Sequence, residues 1–441
     1  MNIVETPILS CIDKTAHEYG SRLFTVKILI VKVHNPFLID MFNKNSIPVI
    51  AMAEKEIVEI LEGNTRLLIP ALSLTENIPP KDPAFFNPSA KLSRDMSILA
   101  YRAFLGDTSS KKRTFADSFS GIGARGLRVA VEVPEMEEVY MNDINPLAIG
   151  LSRKAAELNT VIRKCNFSVN EVCKFLITHP TRNEQRFGVV DLDPFGSPAQ
   201  YIDCLLRSVL DSGLVSVTAT DTAVLSGVYH DVCFRKYYGR PINNHYANET
   251  AIRLILSLIA LTAARLDLSI YPLFVHSYLH YIRIYIKVKL SSSRANNVYC
   301  DLGFLRHCFK CGNREVIKEY RRSEICDVCG NNVRIGGQLW INKLFDKNLI
   351  NKMINHNMKT SKNKDYDYIN KVLSICLNEN DDIAYYFLVD EIASKLKTSP
   401  LSVQKVIEKL SSVGYKASKV SLNSRAIKTN ARIDEMLNLL R

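Results

Sequence analysis

Between Thr114 and Thr220 the chain switches repeatedly between short apolar or β-branched runs and stretches with helical spacing, and this alternation restricts the fold more than any other feature. Strands are expected at Thr114–Asp117, Val139–Asp143, Asn166–Val169, Val189–Asp193 and Leu214–Thr220, with helices over Ala124–Val133 and Pro146–Asn159. Strands separated by helices run parallel, with helices on both faces, which is an α/β doubly wound sheet. A further helix precedes the series, because Met96, Leu99, Ala100, Ala103 and Phe104 recur at helical spacing. Another, roughly Asn248 to Leu266, leads into Leu279–Leu290, where Ile282, Ile284, Ile286, Val288 and Leu290 alternate with Tyr281, Arg283, Tyr285, Lys287 and Lys289. That alternation marks a half-buried strand, and its polar face combines aromatic and cationic side chains suited either to RNA or to solvent.

The flanks differ in character. At 441 residues, with 47% apolar and 23% charged, the chain should fold into two or three domains. Residues 1–55 carry no readable motif and form an extension, residues 56–290 hold the alternating series, and residues 291–441 make a separate C-terminal domain. Within the last, the Lys/Asn-rich segment Lys343–Lys371 reads as a linker or exposed helices. Past Asp381 the spacing of Tyr386, Leu388, Ile392, Val403, Ile407 and Leu410 before Gly414 suggests a small helical or winged-helix unit. Lys+Arg minus Asp+Glu is 57 − 45 = +12, a balance that favours a polyanionic partner. No apolar run approaches the ~20 residues of a membrane span, so no membrane is expected. Lys27 and Lys32 break the early apolar stretch, so no secretory leader is expected either. Of the 11 cysteines only four are regularly spaced, which fits a reduced intracellular protein, in nucleus or cytoplasm with a mitochondrial pool left open.

Three motifs hold the chemistry. Asp117-Ser-Phe-Ser-Gly121-Ile-Gly123-Ala-Arg125-Gly126 joins a strand to a helix, where glycines let the backbone approach a ligand at the helix N-terminus. It is neither the dinucleotide GxGxxG nor a P-loop, and about 20 residues on Asp143 ends the next strand, where a carboxylate can accept both ribose hydroxyls. Together they indicate a nucleoside cofactor. Asp191-Leu-Asp193-Pro194-Phe195-Gly196-Ser197-Pro198 follows the fourth strand and faces the same crevice. An exocyclic amine on a base has its lone pair delocalised into the ring. Asp193 and a proline-locked carbonyl can accept its hydrogens and free the lone pair for an electrophile, while Phe195 stacks on the base as an enclosed ring. The third motif is Cys308-x2-Cys311 and Cys326-x2-Cys329, 14 residues apart, with the spacing of a structural zinc site of four thiolates. Arg306, Lys310, Arg314, Lys318, Arg321 and Arg322 surround it as candidate backbone-gripping cations. Cys11, Cys165, Cys173, Cys204, Cys233, Cys300 and Cys376 read as ordinary buried thiols.

From about Ile57 to its end the sequence resembles the tRNA (guanine-26-N2)-dimethyltransferase family. Phe85-Phe86-Asn87-Pro88 and Arg94-Asp95 match that family's Phe-Tyr-Asn-Pro and Asn-Arg-Asp, with Phe86 and Ser93 departing from it. Gly123-Ala-Arg125-Gly126, Asn142-Asp143, Asp191–Pro198, Thr218–Gly227 and the paired Cys-x2-Cys also match. The resemblance implies a Rossmann-like class I methyltransferase using S-adenosylmethionine, with a zinc-containing α+β C-terminal domain close to a winged helix. It acts on tRNA and is expected to be monomeric. It assigns guanine binding to Phe85 and Phe195, and cofactor contacts to Arg94, Arg125 and Asp143. Glu171-Val172 aligns with an Asp-Ala pair that contacts adenine, and Val420-Ser421 replaces the usual Thr-His near the end.

Two other readings compete. An N6-adenine methyltransferase shares Asp-Pro with an aromatic, but Phe195-Gly196 and the zinc pair argue against it. A catalytically silent RNA-binding protein could keep the scaffold and the basic balance, but it has no use for an intact Asp193.

Overall fold

The computed structural model describes residues 56–106, 113–178, 186–320, 325–358 and 364–441, so the extension 1–55, with Cys11, lies outside the described residues. A hairpin of β1 (Ile57–Glu62) and β2 (Thr65–Pro70) opens the fold, followed by α1 (Leu72–Thr75) and α2 (Lys91–Leu105). The alternating series then runs β3 (Thr114–Asp117), α3 (Ala124–Glu132), β4 (Glu138–Asn142), α4 (Pro146–Leu158), β5 (Cys165–Ser168), α5 (Val172–Thr178), β6 (Phe187–Leu192), α6 (Ile202–Ser208) and β7 (Val209–Ala219). After α7 (Thr222–Leu225), α8 (His230–Tyr237) and α9 (Ala247–Ala264), the hairpin β8 (Leu268–Tyr278) and β9 (Tyr281–Leu290) completes one seven-stranded sheet in the order β5-β4-β3-β6-β7-β9-β8. β5 through β7 pair in parallel and β9 enters antiparallel to β7.

The chain leaves β3 toward β4 and β5 and returns on the other side through β6 and β7. The strand order therefore reverses between β3 and β6, and the crevice at their carboxyl ends is where such sheets bind ligands. Asp117 pairs in register with Asp191, which sets the acids of both loops at that crevice. The helix after β4 starts where it does because Asn145 accepts hydrogen bonds from the Leu147 and Ala148 amides and Pro146 fills the first helical position.

The polar face of β9 divides: Lys289 is exposed and Lys287 half-buried, Tyr281 lines the cavity at that crevice, and the two residues between are core. Arg283 and Tyr285 are fully buried, because β9 lies inside the sheet and α2 covers this end, with Ser97 contacting both residues. α9 is long and apolar enough to cross a membrane by length and composition, yet 72% of it is buried inside the fold. Cys173 and Cys204 are not free thiols: they form a disulfide between α5 and α6. Cys300 is exposed, while Cys165, Cys233 and Cys376 are buried as expected.

The C-terminal part contains α10 (Ser292–Asn296) and a three-stranded sheet of β10 (Leu302–His307), β11 (Arg314–Ile317) and β12 (Arg334–Trp340). Of the two readings offered for Lys343–Lys371, a linker or exposed helices, helices hold, as α11 (Lys347–Met358) and the start of α12 (Lys364–Asn378), but α11 is not merely exposed: it buries Leu349, Ile350 and Met353 in the main core. A second small core holds β13 (Phe387–Leu388), α13 (Val389–Leu396), α14 (Val403–Ser412), β14 (Ala417–Val420), β15 (Asn423–Thr429) and α15 (Ile433–Leu440).

Candidate active site

At the reversal point a cavity of about 410 Å³ is lined by Phe85, Arg94, Arg125, Asp143, Asp193 and Phe195 together. Six residues singled out by sequence, spread over more than a hundred positions, thus converge on one space. Glu171 and Val172 do not line it: Glu171 is exposed and accepts the Lys174 amide, and Val172 is buried as the first residue of α5.

The glycine loop is shaped for close approach. Gly123 has φ +79° as it caps α3, and a Cβ there would lie 2.2 Å from Ser152 Oγ. A Cβ on Gly126 would meet Met141 Sδ at 2.7 Å, so α3 can seat against β4 only without one. Asp143 accepts the Gly121 amide (2.8 Å) on Oδ2 and the Asn145 amide (2.9 Å) on Oδ1, which fixes its carboxylate at the end of β4. Arg94 is held by Glu62 through two bonds of 2.6 Å and lies over the buried Phe86 ring. Burial works to raise the Glu62 carboxyl, but Arg94 and Arg128 outweigh it and bring it down to about 2.

Beneath the cavity lies a charged layer that the sequence did not reveal. Arg125 donates to Asp193 Oδ2 (2.5 Å) and to Ser97 Oγ (2.6 Å), and its Nε lies 2.9 Å from Asp191 Oδ2. Arg283 pairs with Asp191 from the other side, and Tyr101 donates to the same Asp191 oxygen at 2.9 Å. Burial would raise the Asp191 carboxyl, but Arg283 and Arg125 hold it below the ordinary range. Asp117 is pushed well above the usual carboxylate range, first by burial and then by repulsion from Asp191 and Asp193. Its Oδ2 accepts the Gly126 amide at 2.9 Å.

The Asp-Pro-Phe-Gly loop is tied to β7: the Gly196 amide donates to Thr220 Oγ1 (2.8 Å) and the Thr220 amide to the Gly196 carbonyl (2.9 Å). Phe195 is 64% exposed rather than enclosed, because it stands at the mouth of the cavity. It meets Phe85 edge to face at 4.8 Å, with Lys81 Nζ 5.1 Å from its ring centre. Sequence reasoning missed Lys81 and gave no role to Thr218 and Thr220, which also line the cavity, as does Tyr281 from the polar face of β9. Only the match of Thr218–Gly227 to a family motif could have drawn attention to two of them.

The four paired cysteines form a second site on the β10–β12 sheet. Their sulfurs all lie within 4.8 Å of one another. Two equivalent turns place them: Gly312 and Gly330 donate to the carbonyls of Cys308 and Cys326, whose own amides donate to Asn313 and Asn331. Arg314 is not a free cation there, since it is buried and bound to the Tyr386 carbonyl and Glu391, while Arg306 pairs with Glu315; Arg321 and Arg322 lie outside the described residues.

A seven-stranded doubly wound sheet with one antiparallel strand near its edge, a glycine loop and an acid ending β4 define a class I S-adenosylmethionine-dependent methyltransferase. The chain belongs to the N2,N2-dimethylguanosine tRNA methyltransferase family, whose model matches residues 63–441. It is 33% identical over 387 residues to the tRNA (guanine(26)-N(2))-dimethyltransferase of Methanothermobacter thermautotrophicus, covering 87% of this chain and 98% of that one. It is 30% identical over 348 residues to the tRNA (guanine(26)-N(2)/guanine(27)-N(2))-dimethyltransferase of Aquifex aeolicus, covering 78% of this chain and 86% of that one. Among solved structures it is similar to Trm1 from Pyrococcus horikoshii in complex with S-adenosyl-L-methionine, with a TM-score of 0.75 and 27% identity over 87% of this chain and 99% of that chain.

Proposed function

We infer that this chain transfers methyl groups from S-adenosylmethionine to the exocyclic N2 of guanine 26 in tRNA, giving N2-methyl- and N2,N2-dimethylguanosine. The observation that carries the reading is the placement of Asp193, Pro194 and Phe195 on one wall of the cavity, with Phe85 beside them and Asp143 on the cofactor side. The cofactor supplies an electrophilic methyl carbon. Asp193 gives one oxygen to Arg125, which leaves Oδ1 to accept an N2 hydrogen while the Pro194 carbonyl accepts the other. As nitrogen bonds to carbon, the proton it loses passes to the Asp193 carboxylate. Phe85 and Phe195 hold the flipped base by stacking. Asp143 accepts the ribose hydroxyls, and Arg94 and Arg125 supply positive charge along the cofactor's path.

The finer organisation follows the same reading. The four thiolates fit one tetrahedral Zn²⁺, for which Zn–S bonds of ~2.3 Å give sulfur separations near the observed spread. With four protein ligands the ion would be structural. The order β13-α13-α14-β14-β15 fits a winged helix, and residues 291–441 would serve as the tRNA-binding domain beside a methyltransferase domain of residues 56–290. A monomer inside the cell suits a substrate of that kind. An intact Asp193 speaks against the silent RNA-binding alternative, and membership of the guanine-N2 family against N6-adenine methylation.

The test is incubation of unmodified tRNA carrying guanine 26 with labelled cofactor, followed by nucleoside analysis, for the wild type and for Asp193→Asn. Wild type should yield N2-methylated guanosine. The variant should lose turnover by ~100-fold or more while keeping cofactor affinity. Near-normal turnover in the variant would sink the Asp193 assignment.

A further inference from the structure

On α8 and its flanks, a segment tied to the Asp-Pro-Phe-Gly loop through Tyr237 and Ser197, the chain from Val228 to Arg240 exposes large aromatic side chains. Tyr229 is 56% exposed, Phe234 49% and Tyr238 63%, against 64% for Phe195. Isolated exposed apolar residues are ordinary, but several on one short helix and its flanks, adjoining a catalytic loop, mark an interaction surface. Arg235, Lys236 and Arg240 are interleaved with them against a single acid, Asp231. Arg240 extends over the Phe234 ring, 5.5 Å from its centre.

The inner face of α8 is firmly fixed. Tyr237 is buried and its hydroxyl bonds Ser197 Oγ in the Asp-Pro-Phe-Gly loop and Asp221 Oδ1, both at 2.8 Å. At the other end, Arg240 exchanges backbone hydrogen bonds with Gly337 on β12 of the cysteine module. The exposed aromatics therefore sit on a rigid bridge that starts at the catalytic loop and ends at the C-terminal part.

We propose that Tyr229, Phe234, Tyr238, Arg235 and Arg240 form a docking surface for the nucleotides flanking the target guanine, with the rings stacking on base faces that the extruded guanine leaves open and the guanidinium groups meeting phosphates. This rests on the reading of the chain as a tRNA methyltransferase. A base drawn into the cavity brings its neighbours to the mouth and uncovers the faces it had stacked on, so each neighbour presents a ring face and a phosphate there. Alternating aromatic and cationic side chains complement that chemistry, and the net charge of +12 suits a polyanion better than an apolar protein partner.

The experiment measures the dissociation constant of the full-length protein for unmodified tRNA over a series of salt concentrations, with methylation of the same tRNA read in parallel. The double variant Tyr229→Ala/Phe234→Ala should weaken tRNA binding by ~10-fold or more, while cofactor affinity and melting temperature stay at the wild-type values. Phe234→Trp should bind like wild type, which a loss of mere shape would not allow. Arg235→Gln should reduce the slope of log affinity against log salt by about 0.7–0.9. Unchanged tRNA affinity in the double variant overturns the surface, as does a change of oligomeric state instead of RNA affinity, which would make it a self-association patch. A wild type that binds tRNA but leaves guanine 26 unmethylated sinks the functional reading separately, since the binding comparison does not depend on turnover.

Discussion

Lys428 on β15 is the most informative single position for how the two halves of the molecule are held together. Its side chain is fully buried, with Nζ 2.9 Å from Glu249 Oε1 on α9 and 2.9 Å from Glu379 Oε1 just past α12. Glu249 also receives Arg253 Nε at 2.8 Å, and Arg253 Nη1 donates to the carbonyls of Trp340 and Asn342, both at 2.9 Å. Two cations balance two carboxylates across the junction between the sheet domain and the C-terminal part. Lys428→Met keeps most of the volume and leaves one buried carboxylate without a partner, a loss of ~3–5 kcal/mol. At ~2 °C per kcal/mol for a chain of this size, the melting temperature should fall by about 6–10 °C at pH 7. The pH dependence has a definite sign. In the wild type burial works to lower Lys428, but Glu249 and Glu379 hold it above its usual range. Burial likewise works to raise Glu249, but Lys428 and Arg253 hold it below its usual range. The cluster's contribution is thus complete between the ordinary carboxylate and lysine pKa values; it fades as pH falls through the lowered Glu249 value or rises through the raised Lys428 value. In the variant the unpaired carboxylate takes up a proton more readily when folded than when unfolded, so its deficit should shrink between pH 8 and pH 5. Calorimetric melts at unit pH intervals measure this. A drop under ~2 °C at pH 7, or a deficit that does not vary with pH, would refute the electrostatic account. Adding Glu379→Gln to Lys428→Met restores the charge balance and should recover part of the loss; no recovery would assign the loss to packing.

Asp143→Ala should weaken cofactor binding by roughly 10- to 100-fold with tRNA affinity intact, because a charged hydrogen-bond acceptor is removed from one subsite only; calorimetric titration of both ligands reads this. Phe85→Ala should raise KM for tRNA and lower kcat through the loss of a stacking partner worth ~1–3 kcal/mol, whereas Phe86→Ala, which empties a buried position under Arg94, should lower the melting temperature by an amount matching ~3–5 kcal/mol. The opposite pattern would mean that Phe86 is the guanine contact. Metal analysis of the purified protein should find one Zn²⁺ per chain, and Cys311→Ser should lose both the metal and thermal stability; unchanged zinc in the variant would reject the site.

What could be read from the sequence was whatever local pattern dictates. The five parallel strands and the helices after β3 and β4 lie within a few residues of expectation, because period and capping are short-range signals. Of the residues lining the cavity, Arg125, Asp143, Asp193 and Phe195 were legible because each sits in a motif at a strand end or helix start, whereas Phe85 and Arg94 stood out only through the family resemblance. The support beneath them was not legible. Arg283 reads as a surface cation on an alternating strand, and nothing nearby betrays its partner Asp191, 92 positions away, or its contact with Ser97, 186 positions away. The same blindness affects the disulfide, whose cysteines are 31 residues apart on two different helices, and α11, where the Lys and Asn content masks the stripe of Leu349, Ile350 and Met353. Phe195 fails in the other direction: an aromatic beside a proline turn reads as core, yet it stands exposed at the mouth, as the proposed role of stacking on an incoming base would require. Side chains that touch substrate are announced by local motif, whereas those that fix their pose, such as Arg283 behind Arg125 and Tyr237 behind Ser197, are defined only by distant strands and helices brought together. That division explains why Arg125 can present Asp193 at all: its guanidinium is held from below by Asp191 and Ser97, so the carboxylate it grips stays aimed into the cavity before any substrate arrives.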